Sequence, residues 1–184
     1  MKTSFYSEDE LKTLGIQKYG KNFLLSRKAS LYYPELFEVG DNVRIDDFCI
    51  LSGKIKLGSN IHISAYCALY GRFGIVLEDF SGISARTTIY SAIDDFSGEF
   101  LIGPMVPAEL TNVTGGTVIL KKYVQLGANC IVFPNVIIGE GTCVGALSLV
   151  NKSLEPWGIY AGIPARRLKD RSKELLKKIN LFTK

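Results

Sequence analysis

The chain has 184 residues, 47% of them hydrophobic, with 18 glycines and a net charge of +4. A chain of this size buries roughly 70% of the surface it exposes when unfolded, so neither a disordered segment nor a disulfide-stapled miniature fits, and one domain over 1–184 is expected. The charge is uneven: residues 165–184 hold Arg166, Arg167, Lys169, Arg171, Lys173, Lys177, Lys178 and Lys184 against Asp170 and Glu174, which leaves the rest of the chain at −2. A nucleic-acid-binding domain spreads its bases over a groove-reading element, and none is recognisable here, so nucleic acid is excluded as the expected partner. No apolar run reaches the eighteen residues of a membrane span, and MKTSFYSEDEL has acids where a signal peptide needs apolar residues. A cytoplasmic chain is expected.

Residues 1–22 read as an N-terminal cap, with a short helix announced by the capping-box spacing of Ser7 and Glu10. A six-residue period then takes over. Aliphatic residues fall at Leu25 and Leu31, at Val39, Ile45, Leu51, Leu57, Ile63 and Leu69, and after a two-residue slip at Leu77, Ile83 and Ile89. They return at Leu120, Leu126, Val132, Ile138, Val144 and Val150. Four positions after these stand small or apolar residues such as Val43, Cys49, Ile55, Ile61, Cys67, Val124, Cys130, Val136, Thr142 and Ser148. A helix cannot produce this pattern; a short strand whose first and fifth residues point inward can, with turns at Gly, Asp or Asn between units. Three units make a coil of about eighteen residues, and coils stack at about 4.8 Å. The expected fold is an all-β solenoid of five to six coils over residues 23–92 and 118–164, about 25 to 30 Å tall.

The period fails over residues 93–117, where two prolines, Phe96, Phe100 and the acids Asp94, Asp95, Glu99 and Glu109 indicate an ordered extruded loop. At the end of the chain, Leu168, Leu175, Leu176, Ile179 and Phe182 form one apolar stripe at helical spacing, so 165–184 is expected as an amphipathic C-terminal helix. Cys49, Cys67 and Cys130 occupy inward positions as small hydrophobes. Cys49 and Cys67 stack on neighbouring coils, and a reducing compartment would keep them as thiols. No cysteine or histidine spacing indicates zinc.

The strings GSNIHISAYCAL, YVQLGANCIVFPNVIIGEGTCVGALSLV and WGIYAGIPARR resemble the hexapeptide-repeat acyltransferase family, close to its sugar O-acetyltransferase branch. The resemblance implies a left-handed parallel β-helix that works as a homotrimer with active sites between chains. It also implies acetyl-CoA as co-substrate, no metal, and a small-molecule sugar acceptor, with acetyl transfer to a hydroxyl of a sugar or surface-polysaccharide precursor. N-acetyl transfer to an amino nucleotide-sugar and a non-catalytic trimeric scaffold are the alternatives. A γ-class carbonic anhydrase of the same architecture gathers three histidine ligands, which a chain whose one histidine is His62 does not supply.

Acetyl transfer to a hydroxyl needs a base for its proton and donors for the developing oxyanion. In the resembling family the base is a histidine just after the unit that enters the extruded loop, and Asp94 stands there in this chain. Three accounts stay open: His62 as base, oriented by Asp94 or Asp95 of a neighbouring chain; Asp94 or Asp95 as base; or no catalysis. The resemblance also implies that Ala128, Ala146, Asn151 and Lys152 line the coenzyme arm and that Arg166 and Lys169 meet its phosphates. Tyr70, Arg72 and Glu99 are expected to shape the acceptor pocket.

Overall fold

The computed structural model describes residues 4–182; the first three residues of the expected cap and the last two of the expected terminal helix, Lys184 among them, lie outside the described residues. Three parallel walls run up the molecule. The first contains Lys18–Tyr19, Phe37–Val39, the second halves of Ile50–Leu57 and Ala68–Leu77, Val118–Leu120, Ile137–Ile138 and a bridge to Leu154. The second contains Phe23–Leu25, Val43–Ile45, Ile61–Ile63, Gly82–Ile83, Gln125–Leu126, Cys143–Val144 and Gly158–Gly162. The third contains Ser30–Tyr32, the first halves of Ile50–Leu57 and Ala68–Leu77, Thr88–Tyr90, Ile131–Val132 and Leu149–Val150.

Two walls therefore carry seven levels and the third six, which corrects the expected five to six coils. The extra levels lie at the ends, where Lys18–Tyr19 and Leu154 keep the ladder without keeping the aliphatic hexad. In the middle, sequence and structure agree residue by residue. The first-position series from Val39 to Val150 and the fifth-position series from Val43 to Ser148 are all buried, none more than 5% exposed. Polar members of the core bond to backbone: Thr142 Oγ1 donates to Glu155 O at 2.8 Å, and the thiols of Cys49, Cys67 and Cys130 donate to the carbonyls of Ser64, Ser84 and Gly145 at 3.1–3.2 Å. All four cysteines are free.

The turns follow a rule too. Left-handed residues recur at the corners, and on the corner before the second wall Asn22, Asn42 and Asn60 link their side-chain amides in a ladder at 3.1 and 3.2 Å. Asparagine tolerates this backbone at little cost. Higher on the same corner the positions become Phe80, Tyr123 and Trp157, whose rings lie 5.8 and 6.3 Å apart, and the Phe182 ring meets Phe80 edge-on. Trp157 thus packs at the top of this column, with Lys173 Nζ 5.3 Å from its ring.

Both ends of the solenoid are covered. At the base, helix Glu8–Leu11 carries the complete capping box: Ser7 N–H donates to Glu10 Oε2 at 2.8 Å, and Ser7 Oγ accepts from Glu10 N–H. Arg27 Nη1 also donates to Glu10 Oε1 at 2.6 Å. The Arg27 guanidinium, followed by the Ser7 hydrogen bonds, lowers the Glu10 carboxyl from its usual 4.5 to about 2. A depressed carboxylate stabilises the fold above its unfolded value, and that contribution disappears as pH falls through the folded value. Glu10→Gln keeps an acceptor for the Ser7 N–H and removes the charge. It is expected to lower the Tm at pH 7, and the gap to the parent should close as pH falls from 4.5 to about 2, followed by thermal unfolding.

At the top, the expected helix over 165–184 is only partly a helix. Ala165–Asp170 is a strand antiparallel to Gly158–Gly162, and the helix begins at Leu175 and runs to Phe182. An open sheet edge needs a partner for its N–H and C=O groups, and this strand supplies it. Leu168 consequently stands 63% exposed on the strand and does not join the helical stripe, whereas Leu175, Leu176 and Ile179 are half-buried.

Candidate active site

The two-residue slip after Leu69 is the origin of the site. In the parallel register Gly53 pairs with Gly71 but Ile55 pairs with Ile75, so the upper strand holds two more residues than the lower. The excess is expelled as a bulge that carries exposed Arg72 and Phe73. Only glycine fits beneath it: Gly53 has φ +82°, and a Cβ there would lie 2.7 Å from Gly71 O. Ser91 Oγ accepts from Phe73 N–H at 2.9 Å and Thr117 Oγ1 donates to Phe73 O at 2.8 Å, which holds the bulge.

One level higher, on the same corner, the arm leaves the solenoid. Its neck is an antiparallel pair of Ala92–Ile93 with Thr114–Gly115. The arm folds back over the corner and closes a cavity of about 620 Å³, lined by Arg72, Tyr90, Asp94, Phe96, Thr111 and Phe133 among others. Asp94 is half-buried at the neck. It is a carboxylate in a largely apolar chamber, with one guanidinium on the opposite lip.

Asp95, its neighbour, does something else. Its carboxylate accepts from Ser97 Oγ at 2.9–3.0 Å and from Gly98 N–H at 3.0 Å, which closes a tight turn in the arm. Loss of solvent raises its pKa, but the bonds from Ser97 and the backbone N–H groups more than offset this and hold it below the usual carboxylate range. Both of its oxygens are thus engaged within the arm's own turn. Glu99 is exposed on the arm and is not among the residues that line the cavity of this chain.

His62 lies on the second wall, in register with Arg44 and Gly82, and points outward. Its Nε2 is 2.8 Å from Asp46 Oδ2, and Arg44 Nε donates to Asp46 Oδ1 at 2.7 Å. Burial raises the Asp46 pKa, but the bonds from His62 and Arg44 outweigh it and the net shift is downward. Within the chain, the carboxylate in contact with His62 is therefore Asp46, one coil below. His62→Ala should leave acyl transfer far above the ~10²-fold loss that removal of a general base causes, as measured by steady-state kcat.

The expected coenzyme residues fall on two corners. Ala128 and Ala146 stack on successive levels of the corner after the second wall, linked by the Leu147 N–H to Ala128 O bond at 2.9 Å. Ala65 and Ala85 continue this column downward through the bonds from Arg86 N–H to Ala65 O and from Asn129 N–H to Ala85 O. Arg166 pairs with Ala161 and Lys169 with Ile159 at the top of the second wall. The salt bridge of this terminal strand joins Arg167 to Asp170, and Arg166 and Lys169 are exposed. Asn151 and Lys152 belong instead to the corner after the third wall, above the arm, and are exposed. One chain thus separates a small-residue track ending in cations from the cavity that holds Asp94.

A parallel solenoid with a side arm, a smooth corner track and a carboxylate-bearing cavity defines an acyltransferase of the left-handed β-helix class. The chain is 40% identical over 182 residues to the dTDP-4-amino-4,6-dideoxy-D-glucose acyltransferase of Escherichia coli, which covers 97% of this chain and 95% of that one. It is therefore a member of the hexapeptide-repeat acyltransferase family. AntD, an N-acyltransferase from Bacillus cereus, solved as its S84C variant with dTDP-4-amino-4,6-dideoxyglucose and coenzyme A, superposes with a TM-score of 0.96 at 53% identity over 100% of this chain and 98% of that one. The AntD complex with dTDP and 3-hydroxybutyryl-CoA gives 0.96 at 54% identity over 99% and 97% of the two chains. The lipopolysaccharide O-acetyl transferase WbbJ of Escherichia coli, described as putative, matches 71 residues at 35% identity, 39% of this chain and 36% of that one. No family model matches the chain.

Ser84 is a residue that the hexad reading passes over. It follows inward Ile83, is half-buried, and its Oγ accepts from Gln125 Nε2 at 3.3 Å, next to the alanine track. The signal available in the sequence was its column: Ser64, Ser84, Gly127 and Gly145 follow inward residues on successive levels, and the serines keep a hydroxyl beside the track.

Proposed function

We propose that this chain is a coenzyme A-dependent N-acyltransferase whose acceptor is the 4-amino group of a dTDP-linked 4-amino-4,6-dideoxy sugar. The observation that carries the reading is Asp94, a half-buried carboxylate facing the arm cavity, in a chain similar along its whole length to two enzymes named for that acceptor or solved with it. The similarity to an O-acetyl transferase spans a minor part of the chain, so the amino-sugar alternative replaces the hydroxyl acceptor first expected.

An amine at neutral pH is largely protonated; it must release one proton to solvent before attack, and the neutral amine loses a second as the amide forms. Asp94 offers an acceptor for an N–H of the amine, fixes the direction of its lone pair, and takes the proton as the C–N bond forms to the thioester carbonyl. The C–S bond then breaks and the coenzyme leaves as a thiolate, which picks up the proton. The AntD structures include replacements of residues numbered 84 and 94; this chain has Ser84 and Asp94 at those numbers.

Ser84 adjoins the corner after the second wall and Asp94 the corner after the third. A site using both needs two chains, the track of one facing the arm of the next. This supports a homotrimer with active sites between chains, the pantetheine arm passing Ala128 and Ala146, and Arg166 and Lys169 near the coenzyme phosphates. Asn151 and Lys152 would then join the site from the acceptor side. The test is the product: incubation with acyl-CoA and the amino nucleotide-sugar should yield an acylated sugar that survives mild alkali, as an amide does. An alkali-labile ester, or no acylated product, overturns the reading.

A further inference from the structure

Three buried serines of the solenoid donate their hydroxyl hydrogens inside the chain: Ser81, Ser91 and Ser148 bond to the carbonyls of Glu78, Tyr70 and Gly145 at 2.7–2.8 Å. Ser84 is used differently. Its Oγ accepts from Gln125 Nε2 at 3.3 Å, and among the described residues no protein acceptor takes its hydrogen. The direction of the Gln125 amide is fixed by a second bond. Its Nε2 also donates to Leu126 O at 3.2 Å, and because a carbonyl only accepts, the amide nitrogen is the end that faces Ser84. With Gln125 on one lone pair, the Ser84 hydroxyl turns its hydrogen outward.

The chain makes room for this amide. On the outer face of the second wall Arg44, His62, Gly82, Gln125 and Cys143 are in register on successive levels. The level below Gln125 has no side chain, and a Cβ on Gly82 would lie 2.9 Å from Gln125 Oε1. Gly82 thus leaves the space through which Gln125 reaches down to Ser84. Next to Ser84, Ala85 O accepts from Asn129 N–H, so Ser84 stands one level below Ala128 on the alanine track. A pantetheine arm descending from the cations at the top of the second wall reaches Ser84 after Ala146 and Ala128.

We propose that Gln125 is a positioning residue for acyl transfer, holding the Ser84 hydroxyl as a donor to the carbonyl oxygen of the thioester; the proposal rests on the coenzyme path and acceptor read above. As the amine nitrogen bonds to the carbonyl carbon, the C=O electron pair moves onto that oxygen, and a donor aimed there stabilises the charge. The pair returns when the C–S bond breaks. Ser84 keeps its proton throughout, and Asp94 takes the proton of the amine. A hydroxyl without Gln125 would rotate freely and accept from an amine N–H or from water as readily as it donates.

Two readouts on the full chain test this: kcat for acylation of dTDP-4-amino-4,6-dideoxyglucose, and the infrared carbonyl band of bound acyl-CoA labelled with carbon-13 at the thioester carbon. Gln125→Met keeps the length and removes the donor. Gln125→Glu substitutes an acceptor, which draws the Ser84 hydrogen toward itself. Gln125 is exposed, so both variants should melt at the parent temperature. The expected fall in kcat is about tenfold or more for Gln125→Glu and less for Gln125→Met, against the loss of about 10²-fold that removal of a whole donor causes in Ser84→Ala. The Kd for coenzyme A should not change, and the carbonyl band should move toward its position in Ser84→Ala. Once Ser84 is alanine, neither change at 125 should lower kcat further, because no hydroxyl is left to position. Gly82→Ala, which crowds the Gln125 amide, should shift the band as Gln125→Met does. Parent values of kcat and band in both Gln125 variants overturn the proposal. So does a Gln125→Glu loss of the same factor with and without the Ser84 hydroxyl, which would be the effect of the added charge alone. The acceptor reading fails separately, if the parent yields no acylated amino sugar; the carbonyl band needs no acceptor and reports on Gln125 in either case.

Discussion

Asp94→Asn is expected to lower kcat for amine acylation by about 10²–10⁴-fold, the contribution typical of a positioned base, while the Kd for acyl-CoA stays at the parent value. The two side chains have nearly the same shape, so the half-buried place at the arm neck remains filled. The amide cannot take the proton, and it turns N–H groups toward the amine where the carboxylate turned acceptors. The split between turnover and coenzyme affinity is the informative feature. An arm that merely collapsed would disturb both, because the proposed site sets the arm of one chain against the coenzyme track of the next. Pre-steady-state mixing of variant, acyl-CoA and amino sugar measures the chemical step directly.

Leu69→Ala is expected to have the largest effect on stability of any single truncation on the site-bearing wall. Leu69 is fully buried, in register with Leu51 below and Ile89 above. Large-to-small changes of this kind cost about 2–5 kcal/mol, which for a chain of this length lowers Tm by roughly 5–15 °C. The cost should fall toward the upper part of the range. Ladder hydrogen bonds fix the distance between levels, so the walls cannot close on the void, and each coil is supported only by its neighbours. Its neighbour in sequence, Tyr70, points outward and stacks on Tyr90 at 5.3 Å. Thermal and denaturant melts of parent and variant measure the loss.

The parts of this molecule that repeat were the parts legible in its sequence. An inward residue every six positions is a direct consequence of strand alternation and corner spacing, and each aliphatic of the first-position series from Val39 to Val150 is buried as that periodicity requires. The N-terminal capping box was legible for the same local reason: Ser7 and Glu10 are three residues apart and bond to each other. What failed depended on contacts with distant residues. Leu168 fits a helical stripe on spacing alone, but the exposed edge of Gly158–Gly162 recruits residues 165–170 as a strand. Asp95 and Asp94 are indistinguishable in sequence, and only the fold of the arm assigns one to a turn and leaves the other in the cavity. His62 drew notice as the lone histidine, yet Asp46, sixteen residues earlier, is its partner because coils stack.

The measurement closest to the central claim compares two acceptors that differ in one atom. Coenzyme A release from acyl-CoA is followed with dTDP-4-amino-4,6-dideoxyglucose and with the sugar that has a hydroxyl at the same carbon. Thioester cleavage that depends on the amine, is at least ~10²-fold slower with the hydroxyl, and is lost in Asp94→Asn is the predicted result. Equal or faster turnover of the hydroxyl sugar, or amine turnover unaffected by Asp94→Asn, would contradict the account.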